Sequence, residues 1–205
     1  MKIILGALVA ATAMMAAPAS AAELVSNGNF ESGSLSGWTS SGNVAVGTVP
    51  YFGLGSGAYG SYLAAFNGGN TTPNGVLSQA IGTTAGALYN FAFNYGVTNG
   101  GGQSLLVSVL DATTSAVLAT QTVSTTSQSP QAFTLNFTAA SGSSIIRFAD
   151  VATNNSTNQD IAIDNVSVSG AVPEPATWAM MMLGFGAMGF AMRRRAQTSA
   201  RIRFA

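Results

Sequence analysis

Between residues 24 and 169, apolar and polar positions alternate in short runs separated by clusters of Gly, Asn, Ser and Thr. Tyr89, Phe91, Phe93 and Tyr95 share one parity, and Phe133, Leu135 and Phe137 lie opposite Thr134, Asn136 and Thr138. A period of two sends successive side chains to opposite faces of an extended chain, so each run predicts a half-buried strand. Strands are expected at 24–30, 43–49, 61–66, 76–81, 88–95, 105–110, 117–123, 132–138, 145–151 and 161–168. No stretch between them holds a helical period for three turns. About ten strands at this spacing predict an all-β fold, a jelly-roll or related Greek-key β-sandwich. In the last run the phase slips: Ile161 and Ile163 share a parity that Val166 and Val168 do not. A one-residue slip predicts a β-bulge, which re-aims the side chains around it.

Two longer apolar stretches break the alternation. The first, residues 3–17, follows the charge of Lys2 and ends at Pro18, before Ala19, Ser20 and Ala21. That order predicts a secretory signal peptide over 1–21. The second, residues 176–192, is preceded by Pro173, Glu174 and Pro175 and followed by Arg193, Arg194 and Arg195. As a helix it would measure about 25 Å, at the lower limit for crossing a hydrocarbon core of ~30 Å. Arginines behind such a span stay cytoplasmic, which leaves the domain outside. The prolines lack backbone donors and hold the preceding peptide extended. The expected order is signal peptide 1–21, β-sandwich 22–170, linker 171–175, transmembrane helix 176–192 and basic cytoplasmic tail 193–205.

Composition narrows the chemistry. The chain has neither Cys nor His, which removes Ser-His-Asp and Cys-His catalysis, disulfides, and zinc or haem sites built on those ligands. A metal would have to be held by oxygen, as calcium is. The net charge of zero is misleading, because the bases gather at the ends. Between residues 23 and 170 Arg147 is the single base against Glu23, Glu31, Asp111, Asp150, Asp160 and Asp164, a net charge of −5. An acidic surface repels phosphate backbones and speaks against nucleic acid as a partner. Arg147 is expected to pair with a nearby carboxylate. Asp150 and Asp160 flank an Asn/Thr-rich loop, and a glycosidase or lyase would need such a carboxylate pair. No motif singles them out, and the polar tip of a loop explains them better.

The end of the chain resembles a known sorting signal. Pro173-Glu174-Pro175, an apolar run and Arg193-Arg194-Arg195 stand in the order of the PEP-CTERM tail of Gram-negative bacteria that make extracellular polysaccharide. The resemblance implies an exported protein that passes through the inner membrane, is processed by an exosortase near Pro-Glu-Pro, and ends at the cell surface or in the extracellular matrix. Residues 196–205 extend beyond the usual end of that tail.

The central region resembles carbohydrate-binding modules of the galactose-binding-like jelly-roll superfamily. Asn27-Gly28-Asn29-Phe30-Glu31 followed by Gly37-Trp38, and Asp164-Asn165-Val166 near the end, carry the resemblance. It implies a structural calcium ion held by Glu31 and Asp164 with backbone carbonyls; the competing reading has both carboxylates bracing turns through backbone amides. A sugar site needs exposed rings and a few polar groups. Tyr51 and Tyr59 in a Gly-rich stretch, and Tyr95 at a strand end, are the candidates, each with a packing role as the alternative. Trp38 is expected in the core. The resulting expectation is a non-catalytic surface or matrix protein that binds polysaccharide; the alternatives are an architectural or adhesive protein without sugar binding, and a polysaccharide-acting enzyme.

Overall fold

A computed structural model describes residues 22–50, 54, 59–66, 75–98, 101–151, 160–170 and 175–196, the last with side chains over 180–193. The proposed signal peptide lies outside the described residues. Two units divide the chain, one of which is the sandwich, Ala21–Ala171.

Ten strands build that sandwich: β1 (Thr39–Ser41), β2 (Val44–Thr48), β3 (Tyr62–Phe66), β4 (Val76–Gly82), β5 (Leu88–Val97), β6 (Gln103–Asp111), β7 (Val117–Thr125), β8 (Gln131–Thr138), β9 (Ser143–Asp150) and β10 (Ile161–Gly170). Sheet A has the order β2-β3-β10-β5-β8 and sheet B the order β1-β4-β9-β6-β7. Every strand pairing among the described residues is antiparallel, and from β3 to β10 the chain repeatedly crosses between sheets, the connectivity expected of a Greek-key sandwich.

The alternation read from the sequence sets the inner faces. Phe91, Phe93, Phe148, Ile146, Ile161 and Ile163 are at most 2% exposed. Phe148 lies at the centre, with ring centroids 5.0 Å from Phe93, 5.6 Å from Phe91, 6.3 Å from Trp38 and 6.4 Å from Phe66. Trp38 is in this core as expected, and its indole N–H donates to the Asn27 carbonyl at 3.1 Å.

The first expected strand, 24–30, is not one. Only an isolated bridge from Glu23 to Ser169 forms there, and the chain then turns. Asn27 and Phe30 have φ of 51° and 52°, left-handed values that a strand cannot contain. In exchange the sandwich gains β1, a polar Thr-Ser-Ser triplet with no apolar alternation to announce it.

Beyond the sandwich the described residues form one helix, α1 (Pro175–Ala196), which encloses the expected span 176–192. Met180, Leu183, Phe185, Met188, Phe190 and Met192 are all exposed on it, so it has no polar face. Among the described residues no helix is long and apolar enough to cross a membrane.

Candidate functional site

The two ends of the sandwich fold are clasped together. The Leu24 amide donates to the Val168 carbonyl at 3.0 Å, and the Val166 amide to the Gly28 carbonyl at 2.8 Å. Glu23 adds its carboxylate, which accepts from the Val168 and Val25 amides at 2.9 Å each. Gly28 is pressed against β10: a Cβ there would collide with the Val166 carbonyl and lie 3.1 Å from Val25 Cγ1. We expect Gly28→Ala to cost ~1–3 kcal/mol in urea unfolding, since backbone rather than a flexible side chain must yield.

The phase slip in β10 is a bulge. Its register against β5 shifts between Asp164 and Ser167, and Asn165 sits there at φ 51°. The bulge sends Asp164 to the outer face of sheet A, opposite Asn94, while Ile163 and Val166 both stay in the core. Glu31 approaches from the turn that replaced the first strand.

The electrostatics of this pair are unequal. One Glu31 oxygen accepts the Ser61 and Tyr62 amides at 2.7 and 3.1 Å, and these bonds, Ser61's foremost, hold its carboxyl below the usual carboxylate range. A side chain on Gly60, at φ 65°, would collide with that same oxygen. Asp164 is 1% exposed and accepts from the Asn165 amide at 2.7 Å. Burial, with the nearby Glu31 charge adding to it, pushes its carboxyl up to about 7. Glu31 therefore braces a turn as the bracing alternative requires, but that does not relieve Asp164. The two carboxylates are near enough for the Glu31 charge to raise Asp164 further, and hard oxygen donors of this kind suit calcium. Among the described residues no group of three or more Asp, Glu, His or Cys gathers, so carbonyls and water would have to complete the shell.

The aromatic candidates fare differently. Tyr59 is 1% exposed and is not a stacking platform. It lies on the outer face of sheet A, where it joins Val49, Leu54, Leu63, Ala65 and Ala162 in a second small core. The ring sits over Gly96, the one residue without a Cβ to obstruct it. Burial, reinforced by the Asp164 charge, pushes its hydroxyl up to about 12. Tyr95 points inward, packing against the core beside Phe93 at 5.9 Å, and closes the sandwich instead of lining a cleft. Tyr51 lies outside the described residues, as do Pro173 and Glu174. Pro175 opens α1 and Arg193 lies exposed near its end, in the same helix as Arg194 and Arg195.

Three other charged residues were singled out. Arg147 has no carboxylate across from it; its cross-strand neighbours are Ser78 and Ser108, so the expected ion pair is absent among the described residues. Asp150 closes β9, and Asp160 lies just before β10, its carboxyl raised by burial and its amide donating to Thr98 Oγ1 at 3.1 Å.

What sequence reasoning missed is the polar surface. A cavity of about 430 Å³ opens beside the clasp, lined among others by Glu23, Asn27, Asn29, Asn165 and Ser167. Ser167 also belongs to the outer face of sheet A, where Asn90 donates to Asn136 at 2.9 Å and Thr134 and Ser169 lie alongside. The signal was present as the polar half of each alternating strand.

Comparison with known proteins agrees with this architecture. The PEP-CTERM protein-sorting motif matches residues 171–195, and that motif marks an exported protein processed by an exosortase. No curated protein matches the chain in sequence. Among solved structures, the carbohydrate-binding module TmCBM61 in complex with β-1,4-galactotriose is similar at 18% identity and TM-score 0.54, over 73% of this chain and 99% of that one. An apo cyclase from Fischerella sp. is similar at 16% identity and TM-score 0.54, over 74% and 97%. A putative sugar binding protein from Bacteroides thetaiotaomicron is similar at 10% identity and TM-score 0.50, over 73% and 100%. At these identities the likeness is one of fold.

Proposed function

We propose that this PEP-CTERM-sorted β-sandwich is a non-catalytic surface or matrix protein that binds polysaccharide through polar sheet and cleft surfaces. In this reading the tail that carries α1 is a transient address, and the exosortase releases the sandwich to the cell surface or matrix. The observation that carries it is the continuity of the clasp cavity with the outer face of sheet A through Ser167. Asn, Ser and Thr side chains there offer donors and acceptors in a fixed field, the chemistry that sugar hydroxyls require. The fold shared with a galactotriose-binding module supports the same reading. Calcium is the proposed cation between Glu31 and Asp164, where it would tie the turn after the clasp to β10. The sheet part of this surface is built from strands, so binding there needs no ordering of long loops.

One observation favours an architectural role instead. Among the described residues every large aromatic of the sandwich is buried or packed against the core, so no ring offers a stacking face. A glycan array separates the two. Binding to neutral polysaccharides that weakens about fivefold or more in an Asn90→Ala/Asn136→Ala variant supports the sugar reading, and no binding to any glycan leaves the architectural one.

A further inference from the structure

One row of the outer face of sheet B crosses all five strands. Thr39 on β1, Ser78 on β4, Arg147 on β9, Ser108 on β6 and Thr120 on β7 stand in register with one another. Cross-strand partners share a face, and Ile146 and Phe148 on either side of Arg147 are fully buried, so the guanidinium lies on the outer one. At a strand spacing of ~4.8 Å the row runs about 19 Å, four hydroxyls with a single cation at the centre. Ser108 and Thr120 already share a hydrogen bond of 3.2 Å. The neighbouring positions on β9 and β6 are apolar, with Ile145 opposite Leu110 and Ala149 opposite Leu106.

Arg147 is half-buried in this setting, and among the described residues neither a carboxylate nor a carbonyl accepts a hydrogen bond from it. The carboxylates on the same strands are placed away from it. Asp111 and Asp150 each lie three positions along from the row, on the opposite parity, and both are buried. A guanidinium flanked by apolar side chains is partly shielded from water, so a carboxylate reaching it makes a stronger, paired hydrogen bond than at an open surface. Ser108 on one side is buried and bonded to Thr120, whereas Ser78 on the other is half-buried and Thr120 beyond Ser108 is exposed, placed for the rest of a sugar ring.

We propose that this row binds a polysaccharide through a carboxylate-bearing sugar unit, with Arg147 taking the carboxylate and Ser78 a neighbouring hydroxyl. The net charge of −5 repels a dense polyanion, so the fitting ligand carries isolated uronate units among neutral sugars. The inference rests on the polysaccharide reading above but uses the opposite sheet.

The full chain, purified in mild detergent, is to be measured against glucuronoxylan, xanthan and gellan, each beside its carboxyl-reduced form. At least one acidic polymer is expected to bind roughly fivefold more tightly than its reduced counterpart. Arg147→Gln, which keeps amide donors but no charge, should erase that difference. Ser78→Asp, which supplies an internal carboxylate to the intact arginine, should erase it too. Neither variant should alter binding of neutral glycans. Equal binding of acidic and reduced forms by the parent chain, or a preference that survives Arg147→Gln, overturns the proposal while leaving neutral sugar binding standing. Absence of binding to any glycan removes both. Self-association in sedimentation that is lost in Arg147→Gln, without a carboxylate preference, would assign the row to a second copy and also overturns it.

Discussion

In a chelating buffer at pH 8, the Asp164→Asn variant is expected to melt several degrees above the parent chain. The Asp164 carboxyl titrates at about 7 in the folded protein because it is buried and Glu31 is near, against ~3.9 in an unfolded chain. Between those values the unfolded chain has lost the proton and the folded chain still holds it. The folded state binds more protons in that window, so stability falls as pH rises from ~4 to about 7 and then levels off. A shift of this size would be worth about 4 kcal/mol without solvent screening, and ~2 kcal/mol after discounting for it. Asparagine keeps the shape and still accepts the Asn165 amide, but it has no charge to desolvate. Melting at pH 5 and 8 checks this, and a parent chain equally stable at both would sink it.

Calcium at the proposed site would invert the sign. An ion between Glu31 and Asp164 stabilises the ionised aspartate, and at a hundredfold excess over its dissociation constant it adds about 2.7 kcal/mol. In calcium the parent should therefore melt above the Asn variant, reversing their order in chelator. Identical midpoints with and without chelator, together with no calcium by elemental analysis, would rule out the metal and leave the pH effect intact. On the acid side Asp111 sets a separate limit. The Ser141 and Thr114 hydroxyls, with the Thr114 amide, hold its carboxyl at about 2. Its contribution is present above ~4 and is lost as pH falls toward 2.

Phe148→Ala is expected to cost ~3–5 kcal/mol, the largest effect of any single truncation named here. The ring is fully buried and reaches across from β9 in sheet B to Phe66, Phe91 and Phe93 of sheet A and to Trp38 just before β1, so its removal leaves a cavity that these anchored neighbours cannot fill. Against a total stability of ~5–15 kcal/mol, such a loss leaves a marginal fold. Urea unfolding should show a lower midpoint at an unchanged slope, roughly 10 °C or more in thermal terms. A loss under 1 kcal/mol would mean that the two sheets do not share this core.

These two residues also show what the sequence made legible. The alternation of Phe91 and Phe93, and of Ile146 and Phe148, named the inner faces because period two has one meaning in a sandwich. The slip between Ile163 and Val166 announced the bulge that turns Asp164 outward, since only an extra residue keeps both in the core. Tyr59 was illegible for the opposite reason. A Gly-rich flank says that a ring is free to move but not that a second surface waits for it, and Gly96 lies far away in sequence. Residues 24–30 read as a strand because composition does not report φ, and Asn27 and Phe30 adopt left-handed values under tertiary pressure. Arg147 faces serines because cross-strand partners depend on register, which no local pattern supplies.

The clasp has a mechanical consequence. Gly170 ends β10, and β10 runs through the middle of sheet A between β3 and β5. Tension applied where the sorting tail begins therefore enters a central strand, whose ladders on both sides must slide together before it yields. The leading segment, Glu23 to Gly28, is laid along the same strand and bonded to Val166 and Val168, so it works as a seam that closes over the loaded end. A chain drawn outward by its tail is thus gripped at its strongest element, while trimming a few residues from the front would open the seam and let the same pull peel the strand away.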